Sequence, residues 1–202
     1  MLGCLLAGAA NAQRLSGEAL IDEIQQGGYV LVMRHGEAAI PTGGPRGGFG
    51  GGFGGGGRGG GGGRGGGNAP DAEREEELTQ QAVGLLTGAR HAFWRFALPF
   101  SAVYTSPLLR AVQTAEELPF AEIVVVDDLA DTAAQSGWLA QRAAETPPEG
   151  ANVLVVTHIA NIGATFGMNN VQEGETLVVR PGAGGGEVIG RIGLREWSEL
   201  VV

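Results

Sequence analysis

The chain has one cysteine, Cys4. It can therefore form no intramolecular disulfide and no cysteine-based metal site. No stretch comes near the ~20 consecutive apolar residues that a membrane-spanning helix needs. Basic residues are scarce, 13 against 22 acidic ones, for a formal net charge of −9. That balance argues against general affinity for nucleic acid, although it leaves room for a small basic pocket.

Glycine is in excess, with 38 in 202 residues, and 19 of them lie between Gly43 and Gly67. Residues 41–70 are low complexity, glycine tracts broken by Arg46, Phe49, Phe53, Arg58 and Arg64. Such a segment cannot bury enough apolar surface to offset its ordering entropy. It reads as a flexible insertion inside one domain. As an unconstrained coil its ends would lie on the order of 25–30 Å apart. The remaining residues, roughly 165, have an ordinary globular composition and suffice for one core.

Residues 2–12 are apolar and small, and Ala10-Asn11-Ala12 forms an Ala-x-Ala cleavage site before Gln13. Residues 1–12 thus read as a signal-peptide remnant ahead of a domain over 13–202, and predict export, to a bacterial periplasm. A lipoprotein anchor at Cys4 and a frayed apolar terminus are the other readings of this stretch.

Periodicity lays out alternating helices and strands. Ser16 is a candidate cap for a helix through about Gln26, stopped by Gly27-Gly28. Tyr29–Met33 is a continuous apolar strand, the pattern of a strand covered on both faces. Asp71–Glu77 reads as a solvated acidic approach to a helix capped by Thr79. In that helix Ala82, Leu85, Leu86, Ala89 and Phe93 recur at core spacing, continuing the stripe from Leu78 to Phe96. Ala102–Thr105 is the next strand, then a Ser106-Pro107 turn with Pro107 in the first helical position, and a helix to about Leu118. Ile123–Val126 and Asn152–Thr157 are further strands, with a helix from about Asp131 to Glu145 between them. Thr176–Val179 and Val188–Ile192 form a late hairpin or two separate strands. The alternation predicts an α/β three-layer sandwich, a mostly parallel central sheet with helices on both faces.

Three apolar strands end in polar residues of one kind. The first ends in Arg34-His35, the second leads through Ser106-Pro107 to Arg110, and the third ends in Thr157-His158. In a parallel sheet all of these reach one edge, where open α/β proteins build their sites. Arginine forks match phosphate oxygens, and histidine serves as nucleophile or donor. Together they describe a pocket for a phosphoryl group. A metal held by His35, His158 and carboxylates is a poorer reading, because two arginines repel a cation. His91 lies off the apolar stripe of its helix and reads as a surface residue. Glu37 reads as a supporting residue, and Asn161 as a cap or turn residue, with reach into the pocket from the helix after His158 as its other reading.

Arg34-His35-Gly36-Glu37, the run Tyr104 to Ala115 and Val155-Val156-Thr157-His158 resemble, in order and spacing, the histidine phosphatase (phosphoglycerate-mutase-like) superfamily. The similarity covers roughly residues 16–40 and 71–200. The stretch from Glu173-Gly174-Glu175 through Arg180-Pro181 to Trp197 is similar to small secreted bacterial members, some of which act on phosphorylated lipopolysaccharide sugars. The resemblance implies a metal-free, cofactor-free phosphatase acting on a small phosphomonoester, such as a phosphorylated sugar or envelope component. In it His35 becomes phosphorylated, and Arg34, Arg110 and His158 bind the phosphoryl oxygens. It also implies a general acid, with Asp131 of Leu129-Ala130-Asp131 as the candidate and Glu116 as the alternative. Asp131 fits a helix cap equally well, and some small members lack such an acid. Two other functions fit the sequence: a phosphate-binding module of the same fold without turnover, and an interaction protein acting through the glycine tract. Ala82 stands where many relatives have glycine, and the glycine-rich insertion lies in the loop that runs beside the pocket in relatives.

Overall fold

Val30, Leu31, Val32 and Met33 are all fully buried, so the strand they form, β1 (Val30–Arg34), has helices on both faces. The computed structural model describes residues 17–39, 76–130 and 137–200. The signal-like stretch 1–12, Ser16, the glycine-rich tract 41–70 and Asp131 lie outside the described residues.

The helix before β1 is α1 (Glu18–Gln26), whose N-cap position is Gly17. Leu20, Ile21 and Ile24 are its buried face. It ends at Gly27, with φ 78°, where a Cβ would lie 2.5 Å from the backbone of Gly150 and Ala151. Only glycine permits that approach. After β1 a two-residue strand β2 (Ala38–Ala39) pairs antiparallel with β3 (Glu77–Leu78). The two ends of the intervening segment are therefore joined side by side. The unconstrained separation does not apply to this segment, because the β2–β3 ladder constrains the chain on either side of it. Leu78, expected to open the next helix, belongs to this ladder.

The helix α2 (Gln80–Arg95) begins at Thr79, whose hydroxyl accepts from the Ala82 N–H at 3.1 Å. Ala82, Leu86, Ala89 and Phe93 are buried as their spacing predicts, and Ala92 with them. Next come β4 (Phe100–Thr105) and α3 (Leu109–Glu116). Pro107 precedes α3 and does not occupy its first position. Leu108 stays extended while its N–H donates to the Ser106 hydroxyl at 3.3 Å.

β5 (Ile123–Val125) and a 3-10 turn over Asp127–Leu129 lead to α4 (Trp138–Ala144). Of the helix expected from about Asp131 to Glu145, the described part is α4, with Gly137 in the left-handed region at φ 80° as its N-cap; residues 131–136 lie outside the described residues. β6 (Asn152–Thr157), α5 (Ile159–Phe166), β7 (Thr176–Arg180), β8 (Glu187–Ile192) and α6 (Leu194–Glu199) complete the chain.

The six-stranded sheet runs β5-β4-β6-β1-β7-β8. The first four strands in that order are parallel, whereas β7 and β8 form an antiparallel hairpin against β1. Leu31 and Met33 pack into one core with residues of α1, α2, α3 and α6. Val30 and Val32 face the other core with Leu139 of α4 and Ile162 of α5. This is the mostly parallel three-layer sandwich expected from the alternation. Among the described residues no helix is long and apolar enough to cross a membrane.

α6 is anchored by Trp197, which is fully buried, packs edge-on against Phe93 at 4.7 Å and donates from its indole to Thr176 Oγ1 at 3.2 Å. Trp197→Ala is expected to lower unfolding free energy by about 3–5 kcal/mol, read from urea denaturation. A loss below about 1 kcal/mol would mean that α6 is not part of the cooperative core.

Candidate active site

The parallel pairing puts three strand ends level. Arg34 is opposite Thr157, and Thr105 is opposite Val156. The ladder then continues one residue beyond the strands. The His35 N–H donates to the Thr157 carbonyl at 3.0 Å, and the Ser106 N–H to the Val156 carbonyl at 3.1 Å. His35, Ser106 and His158 are thereby delivered to one edge of the sheet, all buried. The two imidazole rings lie 5.0 Å apart, centroid to centroid.

Hydrogen bonding fixes the His35 tautomer. Nδ1 lies 2.8 Å from the Gly36 carbonyl oxygen, which can only accept, so Nδ1 carries the proton. In the neutral ring Nε2 then holds a lone pair, and Arg110 Nε donates to it at 3.2 Å. His158 Nε2 meets the Ser106 hydroxyl at 2.7 Å. Burial pushes the His35 pKa down to about 4, with the charges of His158, Arg110 and Arg34 adding to the effect and the Gly36 carbonyl opposing it. His158 is also pushed down to about 4, by burial and then by Arg110 and Arg34. Both rings are therefore neutral at pH 7.

The thirteen basic side chains of the sequence are all arginines, and the two at this edge are each held by a carboxylate. Arg34 donates from Nη2 to Glu173 at 3.0 Å and from Nη1 to the Val171 carbonyl at 2.9 Å. Its Nε is buried and has no hydrogen-bond partner among the described residues. Arg110 pairs with Glu76 at 3.3 Å. The backbone around them is tied as well. Thr114 Oγ1 accepts from the Gly36 N–H at 3.0 Å and donates to the Arg110 carbonyl at 2.7 Å. The Gly174 N–H reaches the carbonyls of Arg34 and His35 at 3.0 and 2.9 Å. Glu175 grips Arg191 through both carboxylate oxygens, which fixes the loop that carries Glu173.

The residues singled out in the sequence separate into two groups. His35, Arg34, Arg110 and His158 come together. Glu116 does not: it is exposed in the last turn of α3, about 9 Å along the axis from Arg110. Glu37 accepts from the Thr79 hydroxyl at 3.1 Å and so supports the start of α2. His91 is exposed. Asn161 is buried and donates to the carbonyls of Leu129 and Ala130 at 2.9 and 3.4 Å, which pins the chain just before Asp131. Ser106, Thr114, Glu173 and Glu76 carry roles that pattern reading missed. Only their places within or beside the motifs could have signalled them. Among the described residues no group of His, Cys, Asp and Glu could hold a metal ion.

The two histidines give stability a pH signature. Their folded pKa of about 4 lies below the ordinary 6.5, so the unfolded chain binds protons first. Their contribution is complete above pH 6.5, declines as pH falls, and is gone below about 4; together it amounts to a few kcal/mol. Urea unfolding of the wild type should weaken across that window more steeply than that of His35→Asn. Equal slopes would overturn the burial argument.

No protein-family model matches the chain. No curated protein sequence matches it either. Solved structures do. The protein histidine phosphatase SixA, determined in complex with tungstate, aligns with a TM-score of 0.53 at 20% identity, over 82% of this chain and 97% of that one. The mycobacterial glucosyl-3-phosphoglycerate phosphatase aligns with a TM-score of 0.44 at 14% identity, over 75% and 89%. Six strands in the order described, with helices on both faces and three strand ends meeting at one edge, therefore make up the same fold as the histidine phosphatase SixA.

Proposed function

We propose that the chain is a phosphatase that hydrolyses a small phosphomonoester through a phosphohistidine at His35. The observation that carries this reading is the His35 ring. Its proton is tied to Gly36, its Nε2 lone pair is turned to the Arg110 side chain that donates to it, and its low pKa keeps it neutral. A neutral, oriented imidazole beside two arginines is a nucleophile facing an oxyanion site. The tungstate in the SixA structure is a tetrahedral oxyanion, and this pocket offers donors for such a group.

In the first step Nε2 attacks phosphorus and the ester oxygen departs with the bonding pair. Arg110 shifts its donation from Nε2 to a phosphoryl oxygen, which frees the lone pair. Arg34, whose buried Nε is unpartnered among the described residues, supplies further donors. Incoming negative charge favours protonated His158, which then donates as well. Water next attacks phosphohistidine, releasing phosphate and restoring His35. Asp131 is the proposed proton donor to the leaving oxygen. Glu116 is set aside by its position at the far end of α3. Phosphorylated sugars or envelope components are the substrates this reading favours, in keeping with export through the signal-like residues 2–12.

Hydrolysis of an aryl phosphate without added metal, with acid-labile phosphate trapped on the protein, is the expected result. His35→Ala should lower kcat by at least 10³-fold and abolish the trapped phosphate. Activity that persists in this variant would remove the nucleophile assignment. Oxyanion binding without turnover would instead favour a binding module. Asp131→Asn should slow an alkyl phosphate by about 10²-fold or more while changing an aryl phosphate, with its better leaving group, far less. Equal effects on both substrates would argue that Asp131 is not the acid.

A further inference from the structure

The His35 ring is gripped at both nitrogens by groups from separate elements. The Gly36 carbonyl, in the turn after β1, holds Nδ1, and Arg110, near the start of α3, donates to Nε2. Thr114 joins these two elements. Its hydroxyl is 2.7 Å from the Arg110 carbonyl, which can only accept, so the hydroxyl hydrogen is committed there. The oxygen accepts in turn from the Gly36 N–H at 3.0 Å, 78 residues away in sequence. A closed circuit results. It runs from His35 Nδ1 to Gly36, from Gly36 to Thr114, from Thr114 to Arg110, and from Arg110 back to His35 Nε2.

The turn that carries the nucleophile needs such a tether. A Cβ at Gly36 would come within 3.1 Å of Leu78 and 3.4 Å of Ala82 and Leu86. Close packing thus selects the residue whose backbone is least restrained by its own side chain, and its orientation is fixed from outside. The Gly174 N–H holds one side of the His35–Gly36 peptide, through the His35 carbonyl at 2.9 Å, and Thr114 holds the other. Thr114 is fully buried, so both of its bonds are sheltered from solvent. Threonine in a helix often bonds the carbonyl four residues back, as Thr87 does to Val83 at 3.0 Å. Thr114 differs in accepting, on the same oxygen, from the segment that bears His35.

We infer that Thr114 is a positioning residue, whose hydroxyl sets the distance and direction between the His35 nucleophile and the Arg110 guanidinium that holds the phosphoryl group. The inference rests on the phosphatase reading for what the circuit positions. It places the effect of Thr114 in the attack and not in ground-state binding. Without the hydroxyl, Arg110 still reaches an oxyanion by adjusting its long side chain. Nε2, however, is no longer aimed along the line of the departing bond. A misplacement of about 1 Å between reacting atoms can cost roughly 10²-fold in rate.

The test compares Thr114→Val, which removes the hydroxyl at nearly constant shape, with Thr114→Ser, which keeps it and removes only the methyl. Thr87→Val, which loses a back-bond alone, is the control. All are read in the full chain. Thr114→Val should lower kcat for an aryl phosphate by about 30-fold or more per folded molecule, with tungstate affinity by calorimetry within about 3-fold of the wild type. Thr114→Ser and Thr87→Val should keep both quantities within about 3-fold. Nitrogen NMR of the isotope-labelled chain should show His35 as the Nδ1–H tautomer in the wild type and as a mixture of tautomers in Thr114→Val. Should Thr114→Val not fold, Thr114→Ala takes its place with the same expectations. A wild-type kcat in Thr114→Val, a Thr114→Ser variant equally slow, or a tungstate affinity that falls in step with kcat would each overturn the inference. Absence of turnover in the wild type would instead remove the phosphatase reading. The tautomer comparison then still decides whether Thr114 orients the ring, an unchanged tautomer counting against it.

Discussion

The parallel pairing of β1 with β6 is the constraint on which everything at the site rests. It sets Arg34 level with Thr157 and continues in the bond from the His35 N–H to the Thr157 carbonyl. Side chains alternate along a strand, so a slip of one residue would send Leu31 and Met33 to the wrong core and His35 away from His158. The apolar content of β1 prevents that slip from both sides. Val30 and Val32 are committed to one layer, Leu31 and Met33 to the other. Site geometry and core packing are therefore specified by the same few residues.

Electrostatics at the sheet edge follow a second logic. Two arginines and two histidines close together would repel one another if all were charged. Burial relieves the problem by keeping both imidazoles neutral, and Glu173 and Glu76 offset the guanidinium charges. An oxyanion entering this pocket competes with two carboxylates that are part of the protein. Both carboxylates are partly exposed, so water can take over their solvation when the arginines turn to a ligand.

Much of this was readable from residue order. Uninterrupted apolar runs marked β1 and β6 because strands covered on both faces have no polar side to show. The α2 stripe was readable because a one-sided helix must repeat its apolar residues. His35, Arg34, Arg110 and His158 were readable because each directly follows, or closely trails, such a strand. Other features depend on tertiary neighbours and carry no periodic signal. Glu76 looks like any other acid in the run 71–77 until Arg110 is folded against it. Ser106 orients His158 from across the sheet, 52 residues away in sequence. The left-handed conformation of Gly137 at the N-cap of α4 also carries no periodic signal. The pairing partner of the late hairpin was likewise undetermined, since β7 joins β1 antiparallel through residues no more distinctive than those of a parallel strand.

The small ladder between β2 and β3 bears on how such a chain could arise. It clasps the chain at Ala38–Ala39 and Glu77–Leu78, on either side of the glycine-rich stretch. For a flexible loop clasped at its base, doubling its length costs only about 0.6 kcal/mol in closure entropy. A change of length between these two points therefore carries little penalty to folding. The clasp makes this position in the chain permissive to changes of length, while the sheet edge that carries His35, a few residues upstream, remains under the full constraint of the sheet.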